Sequence, residues 1–435
     1  MTSDDLLAWY PKPMNFTSPA LRYRVGLVGF GMIVEETYLP IFASQRHSKL
    51  GNVVVTLEAV ASRTGARFAK YAASLDAIAH RPAGFHGDRA LDRLLETDLH
   101  AVAVATPDDR HFEAALAVIR SGRHVLIEKP SVLSLDQLDQ LCTAADEHQV
   151  LAKVVYHKLF DPDHKRLRTL VSDGVLSHVN SGYCTLLEPR SISADQFSEW
   201  ITGRNPATYV AVHYHKLIDF TFGPRWKLTR IMAEGQRGVV GPVDGNTWDA
   251  VMVRIVYTHP DHREATFDIH TNWVNPNNFP GYVEQEVQFR FDNGLWLGHQ
   301  RKRGVEVTVE GRTPEEFKTT PNHHYNAEVI EPWGERTRRG YGLEAVRRFF
   351  EEAAHVDFGG PPEDRPHRLA TMRSCAYNDL AADRNVVAIV QAVEAILTER
   401  TRGQCGTCVE VNSALGGLVL RRLDGSFDVM YPGTV

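Results

Sequence analysis

Residues 22–34 read RYRVGLVGFGMIV, an apolar run that leads directly into two glycines. Residues 23–28 have the composition of a buried strand, and residues 29–34 then follow the spacing G-x-G-x-x-V. In a dinucleotide-binding turn the first glycine makes the sharp bend and the second lets the backbone approach a pyrophosphate, whereas the third, replaced here by Val34, only eases helix packing. The pattern predicts a phosphate-binding turn formed by Gly29, Phe30, Gly31, Met32 and Ile33.

Strands and helices alternate after this turn. Further strands are predicted at Val53–Ala61, 100–105, 123–127 and Leu151–Tyr156, with amphipathic helical stretches between them. The helix that follows 123–127 begins with a capping box, Ser134 with Gln137. Such alternation is typical of βαβ units and predicts a parallel, doubly wound sheet of the Rossmann kind.

The stretch RHVLIEKP, residues 123–130, raises a question, because its apolar strand ends in two ionisable groups before Pro130. Ligands of parallel sheets bind at the carboxyl ends of the strands. Residues that directly follow a predicted strand are therefore candidates for cofactor contacts. Besides the glycine turn, these candidates are Thr106, Pro107, His111, Glu128 and Lys129.

The end of the second strand bears on which cofactor is bound. Sites that prefer NAD usually place Asp or Glu there to hold the ribose hydroxyls, whereas this chain has Ala61-Ser62-Arg63-Thr64. A hydroxyl beside a guanidinium suits a 2′-phosphate. We therefore expect Ser62 and Arg63 to favour NADP, with NAD as the other possibility.

Longer extended runs replace this alternation from about residue 160. Asp292-Asn293-Gly294 and Asp424-Gly425 predict hairpin turns, and helices are expected near 167–171, 343–355 and 379–400. Meandering strands of this kind form a largely antiparallel sheet with one face covered. The strands are predicted at Ser181–Leu187, Trp248–Thr258, Ala265–Trp273, Val283–Phe291, Leu295–His299 and Val305–Val309. The expected organisation is an arm over residues 1–21, a dinucleotide-binding Rossmann domain over 22–157 and an α+β substrate domain over 158–435.

Composition excludes several classes of protein. A net charge of −6 argues against nucleic-acid binding, and no apolar run approaches the length of a membrane span. The N-terminus lacks the pattern of a secretory signal, and five scattered cysteines do not form a disulfide framework. A cytoplasmic location is expected, and the lone Cys405-Gly-Thr-Cys408 is interpreted as loop and strand residues.

These motifs, taken in order, resemble a known family. They are G-F-G at 29–31, A-S-R-T at 61–64, A-T-P-D-D-R-H at 105–111, S-G-R-H-V-L-I-E-K-P at 121–130, F-D-P at 160–162 and L-V-S-D-G-V-L at 170–176. Together they resemble the glucose–fructose oxidoreductase, inositol dehydrogenase and MocA family of NAD(P)-dependent oxidoreductases. The resemblance implies a Rossmann domain joined to a domain whose open sheet covers the active site and mediates homo-oligomers, either dimers or tetramers. It also implies sugar, cyclitol or related polyol substrates, and thus an enzyme that acts on CH–OH groups.

The resemblance assigns the lysine of E-K-P, here Lys129, to the catalytic site. Oxidation of a carbinol sends a hydride to the nicotinamide while a base takes the hydroxyl proton. A nearby cation stabilises the alkoxide that develops and lowers the pKa of a proton-relay partner. Glu128 would then fix the end of the strand, and Pro130 would hold the turn.

A second catalytic stretch is expected at residues 209–219, YVAVHYHKLID. The family carries D-x-G-x-H-x-x-D here, with the histidine as acid/base. One register places His213 on that histidine, with Tyr209 at the first aspartate and Lys216 at the last, and these three would share a helical face. The other register aligns Asp219 and leaves Lys216 at the histidine. We predict catalytic roles for His213 and Lys216, and substrate contacts for Tyr156, Lys158, Tyr209 and His215.

Two alternatives stay open. His213 and His215 on a strand would share a face as a metal pair, with His157 or His323 and His324 as a third ligand. A metal-assisted glycoside hydrolase or lyase would follow from such a site, although no metal motif surrounds these residues and we predict no metal. A member of the family without activity, which binds NADP(H) as a sensor, is the other possibility.

Overall fold

The computed structural model describes residues 21–44, 48–76, 78, 80–192, 201–279, 283–300, 322–332, 334–375 and 378–435. The strand expected at Val305–Val309 and nearly all of the N-terminal arm lie outside the described residues. The described chain divides into two compact units. Among these residues, no helix combines the length and the apolar character needed to cross a bilayer.

The first unit contains a seven-stranded sheet in the order β2-β3-β1-β5-β6-β7, with β4 beside β3. All its neighbours are parallel except the short pair β2–β3. The strands β5, β6 and β7 are buried along their whole length, as expected where helices cover both faces. The strands are β1 (Leu21–Val28), β2 (Lys49–Leu50), β3 (Val53–Ser62), β4 (Ala83–His86), β5 (Ala101–Val104), β6 (His124–Ile127) and β7 (Ala152–Val154). The predicted doubly wound sheet is confirmed.

Helices connect these strands. A helical turn at Val34–Tyr38 with π-type hydrogen bonds follows the glycine turn and continues into α1. The α-helices that connect the strands are α1 (Leu39–Ala43), α2 (Ala66–Lys70), α3 (Ala72–Asp76), α4 (Ala90–Leu95), α5 (His111–Arg120) and α6 (Leu135–Glu147). The capping box is present, since Ser134 Oγ accepts a hydrogen bond from Gln137 N at 3.3 Å and Gln137 Oε1 accepts one from Leu133 N at 3.2 Å.

The segment His323–Asp379 also belongs to the first unit. It carries the hairpin β14 (Ala327–Ile330) and β15 (Arg336–Arg339) and the helices α10 (Tyr341–Phe358) and α11 (Arg365–Cys375). Val154 N of β7 donates to Asn378 O at 2.9 Å, and Lys153 pairs with Glu352 of α10. The predicted domain boundary after residue 157 would place His323–Asp379 in the second domain. The contacts of this segment with β7 join it instead to the first unit.

The second unit comprises Lys129–Gln140, Lys158–Asn322 and Leu380–Val435. Its nine-stranded sheet has the order β13-β12-β8-β11-β10-β9-β16-β17-β18 and is antiparallel except between β8 and β11. The strands are β8 (Val179–Pro189), β9 (Lys227–Gln236), β10 (Ala250–Thr258), β11 (Glu264–Asn275), β12 (Glu284–Phe291), β13 (Gly294–Gly298), β16 (Cys408–Ser413), β17 (Gly416–Arg421) and β18 (Phe427–Tyr431). Both predicted hairpins are confirmed, because β12 pairs with β13 around Asp292-Asn293 and β17 pairs with β18 around Asp424-Gly425.

Helices cover one face of this sheet. They are α7 (Pro162–Ser172), α8 (Pro206–Tyr209), α9 (Val212–Phe222) and α12 (Arg384–Thr401). Phe222 of α9 packs against Phe267 and Phe289, each at 5.3 Å between ring centroids. Alternate residues of β11 are buried against this layer, so the predicted sheet with one covered face is confirmed.

Candidate active site

The two glycines of the turn after β1 have different surroundings. Gly29 adopts a positive φ of 91°, and a Cβ added there would lie 2.2 Å from the main-chain oxygen of Ala105. At Gly31 an added Cβ would meet only the Arg67 guanidinium, at 3.6 Å. Gly29 is therefore required by the fold itself, whereas Gly31 leaves the backbone open to a close approach from outside.

The other residues of the turn anchor it. Phe30 is buried against Phe68 and Tyr71, at centroid distances of 6.0 and 5.6 Å. Met32 and Ile33 are half-buried at the start of the helical turn. The Phe30 side chain therefore holds the turn against α2, so that a cofactor would meet main-chain atoms here.

The end of β3 exposes several cationic and hydroxyl groups. Arg63 is exposed and its carbonyl accepts a hydrogen bond from Gly87 N at 3.0 Å, while Ser62 Oγ lies 3.4 Å from His86 Nδ1. Arg67, which sequence reasoning missed, is also exposed, and it is the nearest group to the open side of Gly31. Its position four residues after Arg63, in the first turn of α2, is the signal that could have identified it.

The ends of β5 and β6 complete this edge of the first sheet. Thr106 Oγ1 is buried without a hydrogen-bond partner among the described residues, next to the half-buried Pro107. The Thr106 carbonyl accepts a hydrogen bond from Nε2 of the buried His111 at 2.8 Å. Glu128 accepts a 2.8 Å bond from the Tyr38 hydroxyl, and burial together with this carboxylate raises the Tyr38 pKa well above 10. The unsatisfied hydroxyl and the open side of Gly31 fit a dinucleotide at this edge.

Lys129 follows directly after the strand β6 and Glu128. Its Nζ donates a hydrogen bond to the main-chain oxygen of Tyr209 at 3.0 Å and lies 4.1 Å from the centroid of the Tyr209 ring. The carbonyl accepts the hydrogen bond and the ring face attracts the cation, so both contacts orient the side chain. The charge of Lys129 also acts on Glu188, a buried residue of β8 that sequence reasoning did not select.

The stretch 209–219 differs from the single helix that we predicted. Tyr209 ends the short helix α8, which Asn205 caps at Thr208 N with a 2.9 Å bond, and α9 begins only at Val212. The single helix expected over these residues is therefore interrupted between Tyr209 and Val212, and Tyr209 belongs to a different helix from His213 and Lys216.

Residues of α9 have unequal access to a ligand. His213 is half-buried in the first turn. His215 is fully buried, its Nε2 donates to Ala207 O at 3.2 Å, and burial lowers its pKa to about 4. Because these two histidines lie on a helix and not on a strand, they do not share a face as a metal pair would.

Lys216 lies inside a buried group of charges. Its Nζ contacts Ala382 O and lies 3.7 Å from carboxylate oxygens of both Asp219 and Asp383. Asp383 in turn accepts a 2.6 Å bond from the Ser131 hydroxyl, two residues beyond Lys129. The contacts of Lys216 thus connect α9 to the segment that carries Lys129.

The two remaining predicted substrate contacts are buried. Tyr156 lies beyond the end of β7 in the first unit and is 1% exposed. Lys158, in the second unit, donates to the side-chain oxygens of Gln285 and Gln300, the latter at 3.0 Å, and lies 5.1 Å from the Tyr214 ring centroid. These internal partners already bind the Lys158 ammonium.

One group of potential metal ligands occurs among the described residues, and it differs from the histidine set considered as an alternative from the sequence. Ligand atoms of His178, His259 and Asp261 lie within 4.8 Å of one another. The Asp261 carboxylate is already bound, at 2.8 Å by His259 and at 2.8 Å by Arg263. The histidines that we considered as metal ligands from the sequence are absent from this group.

Residues 23–156 match the oxidoreductase family with an NAD-binding Rossmann fold. Over these residues the chain is similar to the glucose–fructose oxidoreductase, inositol dehydrogenase and MocA family. The resemblance seen in the motifs is therefore confirmed. Members of this family that are similar to the chain include an NADP(+) scyllo-inositol 2-dehydrogenase of Bacillus subtilis, 35% identical over 83 residues, which are 19% of this chain and 23% of the relative.

One further relative and one solved structure extend the likeness. An uncharacterised oxidoreductase of Bacillus subtilis is 29% identical over 218 residues, covering 50% of this chain and 61% of the relative. The chain thus spans less than two thirds of the length of these curated relatives. The crystal structure of a Lactobacillus casei scyllo-inositol dehydrogenase with NAD(H) and scyllo-inositol covers 90% of this chain and all of its own, with a TM-score of 0.59 at 15% identity. This last likeness shows a shared fold.

Proposed function

We propose that this protein is an NAD(P)-dependent oxidoreductase that transfers a hydride between a nicotinamide cofactor and a carbinol or carbonyl carbon of a sugar, cyclitol or glycoside. One observation supports it most strongly: the sheet edge that carries the open Gly31 and the unsatisfied Thr106 hydroxyl is also the edge at which β6 ends, and Lys129 follows β6 in the chain directly after Glu128. An edge of a parallel sheet with these features suits a dinucleotide and a reacting group next to each other.

A bound dinucleotide would supply the hydride acceptor or donor. The turn at Gly31 and the Thr106 hydroxyl would hold its phosphate and ribose groups through hydrogen bonds. Lys129 would donate a hydrogen bond to the reacting oxygen and stabilise the negative charge that develops there. The Tyr209 carbonyl orients Nζ for this purpose, and the half-buried His213 is proposed to contact a substrate hydroxyl or to exchange its proton.

Within this function we propose NADP as the preferred cofactor. Arg63 is exposed and Ser62 half-buried at the end of β3, and no Asp or Glu stands at 61–64. A guanidinium there favours a 2′-phosphate, whereas a carboxylate would repel it. The Bacillus subtilis relative whose name specifies NADP(+) is consistent with this preference.

Polyols are the proposed substrate class because the named relatives act on inositols. The test is to titrate the purified protein with NADPH and NADH by fluorescence and then to follow nicotinamide absorbance with a panel of cyclitols, sugars and glycosides. Tight NADPH binding with turnover of at least one polyol is expected. Binding without turnover would favour a sensor, and failure to bind either nucleotide would contradict the proposal.

We also propose that the open face of the nine-stranded sheet forms a homo-oligomer. Tyr183, Leu295 and Leu297 are exposed on β8 and β13, and the register places Tyr183 and Leu297 opposite Gln288 on the same face. Exposed apolar groups in one patch favour association between copies. Sedimentation velocity of the protein and of a Leu295→Asp, Leu297→Asp variant tests this, with a smaller species expected for the variant.

A further inference from the structure

The contact between Lys129 and Tyr209 joins two stretches of the second unit that are far apart in the chain. The acceptor for the Lys129 ammonium is the main-chain oxygen of Tyr209, the last residue of α8, and the ring centroid of the same residue lies 4.1 Å from Nζ. The α8 helix comprises only four residues, and a helix this short is not stable by itself. The contacts that hold α8 in place therefore determine where Lys129 finds its acceptor and the ring.

A carboxylate of α12 holds this short helix. Glu394 Oε1 accepts hydrogen bonds from Asn205 Nδ2 and from Thr208 Oγ1, each at 2.7 Å. Asn205 is the N-cap of α8, and its Oδ1 accepts a 2.9 Å bond from Thr208 N. Both donors belong to buried residues, and hydrogen bonds to a carboxylate are stronger than those between neutral groups. Glu394 therefore fixes the cap of α8 and the residue next to Tyr209.

The same helix also holds the segment that follows Lys129. Gln391 Oε1 accepts a hydrogen bond from Leu135 N at 3.0 Å. Gln391 and Glu394 are three residues apart and are therefore neighbours on the surface of α12. One helix thus contacts both stretches of chain that meet where Lys129 binds Tyr209.

We propose that Glu394 is a positioning residue for the reaction: by holding α8 it sets the place of the Tyr209 carbonyl and ring, and through them the direction of the Lys129 ammonium. This role rests on the proposed oxidoreductase function. A group that stabilises charge in a transition state must be held in place before the reaction, and a displacement of about 1 Å can lower a rate roughly 100-fold. Glu394 acts through α8 and Lys129, and it takes no part in the transfer of the proton or the hydride.

The first test is a double-mutant cycle in single-turnover oxidation of a polyol by bound NADP⁺. Glu394→Ala should lower the rate by roughly 10-fold or more and leave the NADPH dissociation constant unchanged, since the phosphate turn belongs to the first unit. Glu394→Gln should restore most of the rate, because an amide oxygen still accepts both hydrogen bonds. In a Lys129→Met background, Glu394→Ala should cause no further loss, because a residue that acts through Lys129 then has no amine to position.

Glu399→Ala is the matched control for this cycle. Glu399 lies on the same helix, and its carboxylate is bound by Arg402 at 2.9 Å and by Arg422 at 2.5 Å, neither of which belongs to α8. Its removal should lower the melting temperature and leave the rate of hydride transfer unchanged. The control thus separates a loss of stability in α12 from a loss of the position of Lys129.

The second test needs no turnover. In the cofactor-free protein with ¹³C-labelled lysine, the ring current of Tyr209 should shift the ε-methylene protons of Lys129 upfield, because Nζ lies 4.1 Å from the ring centroid. The signal is identified by its loss in Lys129→Met. In Glu394→Ala this signal should move toward that of the exposed Lys227, whereas Glu394→Gln and Glu399→Ala should retain the shift.

The outcomes separate the two proposals. If the wild type oxidises a polyol, but the effects of Glu394→Ala and Lys129→Met are additive or the Lys129 signal keeps its shift in Glu394→Ala, the positioning role is wrong and the oxidoreductase function stands. If the wild type turns over no substrate, the proposed function fails, and the Lys129 signal alone decides whether Glu394 positions the amine. Should Glu394→Ala not fold, Thr208→Val replaces it in both tests, since it keeps the side-chain volume and removes one of the two bonds. An unchanged rate and signal in Thr208→Val would then contradict the proposal.

Discussion

The ammonium of Lys129 donates to the main-chain oxygen of Tyr209 at 3.0 Å and lies 4.1 Å from the centroid of the same residue's ring. Both of these partners are uncharged, and they orient the amine at the end of the strand. Asp or Glu in the place of Tyr209 would pair with the amine and lower its effective charge. The tyrosine at a position where the family motif has an aspartate is thus compatible with a working lysine.

Substitutions of the two glycines of the phosphate turn should have different effects. Gly29→Ala should destabilise the fold, because its Cβ would lie 2.2 Å from Ala105 O at a positive φ. Gly31→Val should fold, because only the flexible Arg67 side chain is near, but it should abolish dinucleotide binding. Thermal denaturation and NADPH titration of both variants measure this. A folded Gly31→Val protein with unchanged affinity would remove the turn from the cofactor site.

Two arginines after β3 should affect cofactor binding differently. Arg63→Ala should raise the NADPH dissociation constant by roughly 10-fold or more and change that of NADH little, since one charge-assisted contact to the 2′-phosphate is lost. Arg67→Ala is the matched comparison, and it should weaken both nucleotides alike because its guanidinium lies by the Gly31 turn. Equal effects of Arg63→Ala on both cofactors would contradict the NADP preference.

The Lys216→Met substitution should affect the free energy of unfolding more than it affects the rate of the chemical step. Removing this ammonium takes away the cation that lies 3.7 Å from the half-buried Asp219 and from the buried Asp383, and breaking such a pair costs about 3–5 kcal/mol. Lys227→Met, exposed at the start of β9, is the control and should be neutral. Urea denaturation measures the difference. A fully stable Lys216→Met protein without turnover would instead support the catalytic role predicted from the sequence.

The free energy of unfolding should depend on pH through two buried groups whose pKa values are shifted in opposite directions. The pKa of Glu188 is raised from 4.5 to about 7. Its contribution to the free energy of unfolding is therefore fully present below pH 4.5 and is lost as the pH rises through about 7. The pKa of His215 is lowered from 6.5 to about 4, so its contribution is present above 6.5 and is lost as pH falls through about 4. Each shift corresponds to at most about 3 kcal/mol.

In the wild type, the contributions of Glu188 and His215 to the free energy of unfolding change in opposite directions with pH. A variant that lacks one of the two groups shows the contribution of the other. Between about pH 4.5 and 6.5, the free energy of unfolding should rise with pH in Glu188→Gln and fall with pH in His215→Gln. Denaturant titrations of the cofactor-free protein at several pH values measure both slopes. Parallel curves for the two variants would show that neither group titrates as its burial implies.

Much of the fold could be predicted because periodicity and turn chemistry are local. The glycine turn, the strand before Lys129 and both hairpins follow from a few neighbouring residues. The return of residues 323–379 to the first unit could not be predicted, because it depends on contacts such as that of Val154 with Asn378. The break after Tyr209 was missed for a similar reason, since α8 and α9 together read as one amphipathic segment.

The candidate site was only partly predictable. Lys129 and the glycines belong to motifs, and their surroundings agree with the expected edge of the sheet. Glu188 belongs to no motif, and its neighbour Trp273 lies 85 positions further along the chain, so only strand pairing brings the two together. Lys158 and Lys216 read as available cations in the sequence, but the folded chain gives both of them internal partners.

The central claim is that Lys129 takes part in hydride transfer at a dinucleotide site. Single-turnover reduction of bound NADP⁺ by a polyol, compared between wild type, Lys129→Met and Lys165→Met, tests it most directly. Lys165 is the matched control, because it is an exposed lysine whose Nζ lies 5.0 Å from the Phe160 ring centroid. Lys129→Met should slow the step by roughly 10²-fold or more with NADPH affinity retained, and Lys165→Met should leave it unchanged. Normal turnover by Lys129→Met would contradict the account and make Lys129 an ordinary charge at the end of a strand.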